Sequence, residues 1–388
     1  MSIPVGVLCE SAPGEQRVAM VPAALGVLNK TGIELIQETG AGQRAGFPDS
    51  EYLAKGVRIV SRDAVFAEAD VLLQVRGPGA NPENGNADLS RMRRGQTVIA
   101  FGEPLTAVDA ARALAERGIT FLAMELMPRI TRAQSMDALS SMATVAGYKA
   151  VLIAADSSPR MFPMLMTAAG TVAPARVLVI GAGVAGLQAI ATARRLGAVV
   201  SGYDIRAAVK EQIESLGARF IVLDMEDGAA EDKGGYAKAM GEDFYRRQRE
   251  LMGGVLAEQN VVITTAAVPG KKAPVLITRE MVERMDAGSI IIDIAAERGG
   301  NCELTRPGEV VDHGGVRIFG PVNLPSTIPY HASQMYARNL ATFLKYLIKE
   351  GRLVLDREDE IVRETLVTHA GEVVHPRVRE AMGAANVR

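Results

Sequence analysis

The segment that most constrains the fold is RVLVIGAGVAGLQAIATARRLGA, residues 176–198. Residues 176–180 form an apolar run that is typical of a buried strand, and residues 184–196 carry apolar side chains at helical spacing. Between them lies the pattern G-x-G-x-x-G, formed by Gly181, Gly183 and Gly186. Strand, glycine turn and helix in this order predict a Rossmann-type βα unit of a parallel sheet.

Each glycine of this pattern has its own physical task. Gly181 permits a tight turn, Gly183 has no Cβ and lets a pyrophosphate approach the backbone, and Gly186 allows close packing of helix on strand. The N-terminus of the helix offers free N–H groups and the positive end of the helix dipole to phosphates. The segment therefore predicts a dinucleotide site, although a glycine-rich turn that binds no nucleotide remains an alternative.

The acidic residue that the pattern requires follows the next apolar run. AVVSGYD, residues 198–204, predicts a strand that ends in Asp204. A carboxylate there accepts the hydroxyls of the adenosine ribose and repels a 2′-phosphate, so it favours NAD over NADP. Arg206 is close enough to accommodate NADP, but Asp204 lies at the strand tip, and we expect NAD.

Short apolar runs alternate with helical patterns along the whole chain of 388 residues. The predicted strands are almost continuously apolar, as in parallel sheets covered on both faces. We predict an α/β protein of two Rossmann-like, doubly wound parallel-sheet domains, joined by long helices around a cleft. The first domain comprises residues 1–134 plus a returning segment, 327–388. The NAD-binding domain comprises residues 135–326 and includes the long connecting helix, predicted from Ser135 to about Ala155.

Composition excludes several kinds of partner. The formal net charge of −2 implies no broad basic face, so nucleic acid is not expected. The two cysteines, Cys9 and Cys302, fit no metal or redox spacing, and we expect reduced thiols and no metal site. The N-terminus has no basic region of a signal peptide, and no apolar stretch reaches the roughly 18–20 residues of a membrane span. We expect a cytoplasmic protein without direct membrane insertion.

Two polar stretches interrupt the first series of strands and helices. RGPGANPENGNADLS, residues 76–90, is rich in Pro, Gly and Asn and predicts an exposed loop. MPRITRAQSMDALSS, residues 127–141, follows a strand end, where ligands bind in such sheets. Its polar side chains include Arg129, Arg132, Gln134, Asp137 and Ser140. A functional loop and a solvated loop in which Ser135 or Asp137 caps the long helix are equally good interpretations.

The distribution of histidine bears on the chemistry. The four histidines are His313, His331, His369 and His375, so the first 312 residues lack the commonest general acid–base side chain. A dehydrogenase for a hydroxy or amino acid needs a group that moves the substrate proton, whereas hydride transfer between two nicotinamides needs only positioned rings. Residues 226–243, rich in glycine and charge, form either a lid over a nucleotide or a plain surface loop.

Six long segments carry a more specific pattern: MELMPRITRAQSMDALSS, MTAAGTVAPARVLVIGAGVAGLQAIATARRLGA, DIRAAVKEQIESLGA, GGYAKAMGEDF, TTAAVPGKKAPVLIT and GGNCELTRPGE. Together they resemble the NAD(H)-binding component of proton-translocating NAD(P) transhydrogenases. The resemblance implies direct hydride transfer between NAD(H) on this chain and NADP(H) on a partner component, coupled to proton translocation. It also implies a homodimer that docks on the NADP(H)-binding component and membrane-spanning subunits, peripheral on the inner (plasma) membrane of a bacterium. Because the chain has no membrane segment, it resembles the form in which this component is a separate subunit.

The resemblance also assigns roles to individual positions. Arg129, Gln134, Asp137 and Ser140 match the catalytic polar loop, where the Arg and Asp hold the nicotinamide end and the Gln reaches the partner's nucleotide. Ser135 and Met136 belong to the same cofactor-binding stretch. The other implied cofactor contacts are Gly181, Gly183, Val184, Gly186, Asp204, Ile205, Arg206, Gly235, Tyr236, Ala266 and Ala267. Gly235 and Tyr236 match a mobile loop that closes over NAD(H), and which of Ala266 and Ala267 makes the contact stays open.

Two alternatives remain. The chain also resembles alanine dehydrogenase, which uses Arg, Lys and His for its amino acid. Arg17 matches the Arg, but Arg76 stands at the Lys position and Phe101 at the His position, which would remove the proton-transfer groups. The other alternative is a non-catalytic NAD-binding protein, against which the polar loop argues.

Overall fold

The computed structural model describes residues 2–28, 31–223, 242–267 and 270–385. The chain divides into two compact units. The first unit is Met1–Met142 with Pro325–Arg388, and the second unit is Ala143–Leu324.

The N-terminal part of the first unit alternates strands with helices. Its strands are β1 (Ile3–Val7), β2 (Ile33–Glu38), β3 (Arg58–Val60), β4 (Val71–Arg76), β5 (Thr97–Phe101) and β6 (Thr120–Ala123). Its α-helices are α1 (Asp49–Leu53), α2 (Arg62–Glu68), α3 (Gly85–Arg91) and α4 (Val108–Glu116). Its 3-10 helices are Pro22–Leu28, Gln43–Ala45, Pro78–Ala80, Met124–Leu126 and Thr131–Met136.

The boundary between the units falls within α5 (Ala138–Ser157). The strands of the second unit are β7 (Leu165–Thr167), β8 (Gly170–Val172), β9 (Arg176–Ile180), β10 (Val199–Tyr203), β11 (Arg219–Phe220), β12 (Val261–Thr264), β13 (Ile290–Asp293), β14 (Val310–His313) and β15 (Val316–Phe319). Its further helices are α6 (Val184–Arg195), α7 (Lys210–Ser215), α8 (Glu242–Ala257) and α9 (Arg279–Val282), with 3-10 turns at Ala207–Val209 and Ala296–Arg298.

The C-terminal segment completes the first unit. After a 3-10 turn (Leu324–Thr327) its elements are α10 (Pro329–Leu347), β16 (Ile348–Lys349), β17 (Arg352–Leu353), α11 (Glu360–Thr365), β18 (Leu366–His369), β19 (Glu372–Val373) and α12 (Pro376–Ala385). Strand β18 pairs with β6, and the fully buried side chains of Val367 and Val378 pack into the same core as Leu72 and Val98. This segment therefore supplies both sheet and core of the first unit.

Each unit is built on one twisted sheet. The strand order is β19-β18-β6-β5-β4-β1-β2-β3 in the first unit and β11-β10-β9-β12-β13-β15-β14 in the second. Pairing is parallel except at one edge of each sheet, where β18 and β19 in the first unit and β14 in the second run antiparallel to their neighbours. The predicted doubly wound α/β class is confirmed, with these antiparallel edges as the difference from wholly parallel sheets.

Strand β9 shows why its sequence forms a central strand. Val177 and Val179 belong to the core on one face of the sheet, and Leu178 and Ile180 belong to the core on the other face. All four are at most 1% exposed. Burial of one such side chain contributes about 1.5–3 kcal/mol, so an unbroken apolar run is stable only between two helical layers.

The long connecting helix begins later than predicted and changes one expectation about membranes. It starts at Ala138, because residues 131–136 form a 3-10 helix and Asp137 caps α5. With 20 residues, α5 is long and apolar enough to cross a membrane by length and composition, and no such stretch was expected. Part of α5 instead packs in the protein core, since Ala150, Val151 and Ala154 are fully buried in the second unit.

The prediction of an exposed loop at residues 76–90 is wrong. It contains the 3-10 helix Pro78–Ala80 and α3, and it is partly buried. Asn81 and Asp88 are 1% and 3% exposed. Asn81 receives the amide N–H of Asn84, and the Asp88 carboxylate accepts hydrogen bonds from Arg62, Ser11 and Gln74. These long-range partners make a Gly- and Asn-rich stretch an ordered part of the first unit.

Candidate functional site

Three strands end side by side at the carboxyl edge of the second sheet. Ile180 at the end of β9 is paired with Tyr203 of β10 and with Thr264 of β12. The residues that follow these strands, Gly181 and Asp204 among them, therefore lie at the same edge. The strand order reverses between β9 and β12, and this reversal is where open α/β sheets bind ligands.

The glycine turn has the geometry that its sequence predicts. Gly181 has a φ of +96°, which favours glycine, and its N–H donates to the carbonyl of Tyr203 over 2.8 Å. A Cβ on Gly186 would lie 1.8 Å from the carbonyl oxygen of Gly181, so helix and turn approach as closely as backbone allows. A Cβ on Gly183 would meet no atom within 4 Å among the described residues, which leaves open space above the turn.

Helix α6 points its N-terminus at this open space. Gly183 is the N-cap in an extended conformation, and its carbonyl accepts the first helical hydrogen bond from Leu187 over 2.9 Å. No side chain of the described residues caps this end. The first N–H groups of a helix have no partner within it, so those of Val184, Ala185 and Gly186 are available to an anion.

Asp204 joins the strand tip to the glycine turn. Its side chain is 5% exposed, and its Oδ2 accepts the N–H of Ala182 over 2.7 Å. Arg206 donates to the same carboxylate three times, each over 2.9 Å, from its backbone N–H, its Nε and its Nη2. The structure thus brings Asp204 and Arg206 to the glycine turn, with Ile205 between them in sequence, at the position where the sequence predicts the ribose site.

The third strand end is held by two buried residues that the sequence analysis missed. The Asp293 carboxylate at the end of β13 accepts the hydroxyl of Thr264 over 3.0 Å and the N–H of Asn301 over 2.7 Å. Asn301 in turn donates from Nδ2 to the carbonyl of Ala266 over 2.8 Å. Both side chains are fully buried. Asp293 was detectable, because SIIIDIA ends in a carboxylate at a strand tip as AVVSGYD does.

A second missed contact supports the ribose strand. The amide nitrogen of Gln248 on α8 donates to the hydroxyl of Tyr203 over 2.9 Å. Burial raises the pKa of Tyr203 to about 12, so the hydroxyl remains protonated. Tyr203 immediately precedes Asp204, and this bond fixes the strand tip from the other side. No periodicity in the sequence indicates this pair.

The polar loop of the first unit forms a compact turn before α5. Gln134 and Ser135 are exposed in the 3-10 helix, and Met136 is buried. The Asp137 carboxylate accepts the N–H of Ser140 over 2.8 Å and its hydroxyl over 2.6 Å. The interpretation of Asp137 as a helix cap is therefore confirmed. Arg129 is exposed just before this turn, and of the four proposed catalytic residues the structure joins Asp137 and Ser140 directly.

The positions that match the amino-acid site of alanine dehydrogenase carry a buried ion-pair cluster. Glu15 and Arg17 are 0% and 4% exposed, and the Arg17 guanidinium donates to both Glu15 oxygens over 2.8 and 2.6 Å. Arg76 also donates to Glu15 over 3.2 Å. Burial and the charge of Glu15 raise the pKa of Glu10 to about 8, although the N–H groups of residues 75 and 76 bind its carboxylate. Glu15 is therefore already paired with both arginines.

Phe101, at the position of the alanine dehydrogenase histidine, lies against Tyr336 with ring centroids 5.2 Å apart. Gly235 and Tyr236, the predicted lid residues, lie outside the described residues. Within the described ranges no group of three or more His, Cys, Asp or Glu is arranged to hold a metal ion.

Comparison with known proteins gives matches over nearly the whole chain. Residues 6–146 match the model of the alanine dehydrogenase/PNT N-terminal domain, and residues 150–376 match that of the alanine dehydrogenase/PNT C-terminal domain. A Rhodospirillum rubrum protein named as the first part of NAD(P) transhydrogenase subunit alpha is 50% identical, over 95% of this chain and 96% of its own. The crystal structure of transhydrogenase from Sinorhizobium meliloti superposes with a TM-score of 0.85 at 46% identity, over 96% and 100% of the two chains. An alanine dehydrogenase of Mycobacterium tuberculosis is 29% identical, over 98% and 96% of the two chains.

Proposed function

The chain belongs to the alanine dehydrogenase/PNT family, and from this premise we propose that it is the NAD(H)-binding subunit of a proton-translocating NAD(P) transhydrogenase. Relatives named as transhydrogenase alpha subunits are up to 50% identical across almost its full length. It is thus a component of an oxidoreductase complex with further subunits. In the proposed reaction, hydride passes directly between NAD(H) on this chain and NADP(H) on a partner component, coupled to proton translocation.

The observation that carries this proposal is the carboxyl edge of the second sheet. The free N–H groups of α6, the open space at Gly183 and the carboxylate of Asp204 stand in the order that a dinucleotide requires. The pyrophosphate fits the helix N-terminus, and Asp204 accepts the hydroxyls of the adenosine ribose. The residues present therefore fit NAD(H), and Asp204 disfavours a 2′-phosphate.

When bound, NAD(H) supplies or accepts the hydride, and the protein contributes positioning. We propose that Arg129 and Asp137 orient the nicotinamide end, with the Asp137 carboxylate held by Ser140. Gln134 is exposed and extends toward the nucleotide of the partner component. None of these residues exchanges a proton, because hydride transfer between two nicotinamides moves none. Ser135 and Met136 complete this stretch, Ala266 or Ala267 contacts the cofactor at the end of β12, and Gly235 and Tyr236 close over it.

The proposed assembly is a homodimer on the cytoplasmic face of the bacterial inner membrane, docked on the NADP(H)-binding component and membrane-spanning subunits. The hairpin β7–β8 and the segment before it support self-association, because Met164 and Met166 are 55% and 78% exposed. Exposed apolar side chains concentrated on one hairpin favour burial against another protein surface. Light scattering of the purified chain measures its mass in solution and so tests whether it is a dimer.

Two observations argue against an alanine dehydrogenase activity. Arg17 and Arg76 are both paired with Glu15, and Phe101 supplies no titratable group. An amino-acid substrate would have to displace a buried carboxylate from both arginines.

The test is reconstitution of the purified chain with the NADP(H)-binding component, followed by reduction of an NAD analogue by NADPH. Transfer is expected only when both components are present. A Gln134→Asn variant should transfer hydride more slowly than the wild type while its NADH dissociation constant stays nearly unchanged. The proposal is overturned if NADH binds but no hydride exchanges, or if the chain alone reduces NAD with L-alanine.

A further inference from the structure

Arg132 lies in the polar loop between Arg129 and Gln134, and the mechanism above gives it no role. Its Nη1 donates to the Asp359 carboxylate over 2.7 Å and to the Tyr346 hydroxyl over 3.0 Å. The Tyr346 hydroxyl donates to the same Asp359 oxygen over 2.6 Å. Arg132, Tyr346 and Asp359 thus form a closed triad, which we call the loop clamp. It joins residues more than 200 positions apart in sequence within the first unit.

Asp359 divides its two oxygens between two tasks. Its Oδ2 serves the loop clamp, and its Oδ1 caps α11 by accepting the N–H groups of Ile361 and Val362 over 2.8 and 3.3 Å. Tyr346 lies in the last turn of α10. The clamp therefore ties the polar loop to the end of one helix and the start of another.

Helix α10 holds the same loop at a second point. Asn339, a residue that is 7% exposed, donates from its Nδ2 to the carbonyl of Ser135 over 2.9 Å. Arg132 and Ser135 lie on either side of Gln134, so both flanks of this exposed side chain are attached to α10 or its neighbour. Surface loops are generally more mobile than the elements they connect, and two attachments to one scaffold restrict this loop.

We propose that Arg132 is a positioning residue for hydride transfer, which holds the segment 129–137 in one conformation through the loop clamp. The inference rests on the proposed function, because it gives Arg132 a purpose only if the loop orients two nicotinamides. A misplacement of about 1 Å at such a site reduces a rate by about 100-fold. A half-exposed ion pair contributes little to overall stability, so the effect should appear in the rate.

The clamp is charged throughout the pH range of interest. Partial burial acts to raise the pKa of Asp359, but hydrogen bonds from Tyr346, Arg132 and two backbone amides outweigh it and lower the pKa to about 2. Its contribution is present above the unfolded value of 3.8 and is lost only as pH falls toward 2. The effect of an Arg132 substitution should therefore be constant between pH 6 and 9, whereas loss of an acid–base group would alter the pH profile.

The experiment compares Arg132→Met, Arg132→Lys and Tyr346→Phe with the wild type. Arg112→Met is the matched control, because Arg112 forms an exposed ion pair with Asp109 on α4 in the same unit. Three quantities are measured: the single-turnover rate with the NADP(H)-loaded partner, the NADH dissociation constant of the chain alone, and the unfolding temperature. Arg132→Met should slow transfer about tenfold or more with NADH affinity within about twofold. Arg132→Lys should recover most of the rate, Tyr346→Phe should lose a smaller part, and Arg112→Met should lose none.

Wild-type rates in Arg132→Met would overturn the inference while leaving the proposed function intact. So would an NADH affinity that falls by the same factor as the rate, or a Lys variant as slow as the Met variant. If the wild type itself transfers no hydride, the proposed function fails, and the inference fails with it.

Discussion

The carboxyl edges of the two sheets carry opposite chemistry. In the second unit the edge presents backbone N–H groups of a glycine turn and helix α6, with one carboxylate beside them. In the first unit the charged side chains at the corresponding edge form ion pairs with one another, since Glu15 is fully buried and bound by Arg17 and Arg76. The comparison shows that one doubly wound architecture can present helix N–H groups without a described side-chain cap at one sheet edge and a buried cluster of paired charges at the other.

The largest expected effect concerns the buried ion-pair cluster at the carboxyl edge of the first sheet. Glu15→Gln leaves two arginines facing a neutral amide, and removing one partner of a buried ion pair costs about 3–5 kcal/mol. Guanidinium denaturation should show this loss of unfolding free energy, while NADH affinity of the folded protein stays unchanged. A loss below about 1 kcal/mol would contradict the cluster's structural role. The double variant Glu15→Gln with Arg17→Met should regain part of the loss, because it removes the buried charge as well.

The second prediction distinguishes the roles of Gly186 and Gly183 in the glycine turn of the second unit. Gly186→Ala places a Cβ 1.8 Å from the carbonyl oxygen of Gly181, and such overpacking costs about 1–3 kcal/mol. Thermal unfolding without cofactor should reveal this cost. Gly183→Ala meets only open space, so its unfolding temperature should match the wild type while its NADH affinity falls. Equal unfolding temperatures for both variants, or undiminished affinity in Gly183→Ala, would show that the turn is not used as described.

The third prediction concerns the carboxylate of Asp204 at the carboxyl edge of the second sheet. Asp204→Asn removes the charge that holds Arg206 and that would accept ribose hydroxyls. NADH affinity should fall about 10-fold or more, as for loss of a hydrogen bond to a charged group. The preference for NADH over NADPH should also narrow, because the repulsion of a 2′-phosphate disappears and Arg206 is released. Calorimetric titration with both nucleotides measures this, and an unchanged preference would argue against the placement of the ribose.

The fourth prediction is a pH dependence of stability that arises in the first unit. Burial and the nearby Glu103 raise the pKa of Glu125 from 4.5 to about 7. Its contribution to stability is complete below the unfolded pKa and is lost as pH rises through 7, with a slope of at most about 1.4 kcal/mol per pH unit.

Glu125→Gln should flatten this dependence, because Oε1 alone accepts the N–H groups of Gly102 and Glu103 and an amide oxygen can replace it. Denaturation curves at pH 5, 6, 7 and 8 test the difference. A wild-type stability that rises with pH over this range, or an equally steep variant, would contradict the assignment to Glu125.

Local sequence determined the glycine turn and the carboxylate at the carboxyl edge of the second sheet almost completely. The turn at Gly181, the close approach at Gly186 and the carboxylate of Asp204 lie within 24 residues, and their geometry follows from backbone sterics and strand pairing alone. The structure places all three as predicted. The doubly wound class was predictable for a related reason, since an unbroken apolar strand such as β9 is stable only inside a covered sheet.

Tertiary structure decided the features whose partners are distant in sequence. Residues 76–90 have the composition of a loop, yet Asp88 is buried because Arg62, Ser11 and Gln74 meet it. The ion pair of Arg76 with Glu15 and the loop clamp of Arg132 likewise join side chains that no local pattern connects. A charged residue in sequence carries no sign of whether it will be solvated or paired, because its environment is set by strands and helices that fold against it from elsewhere.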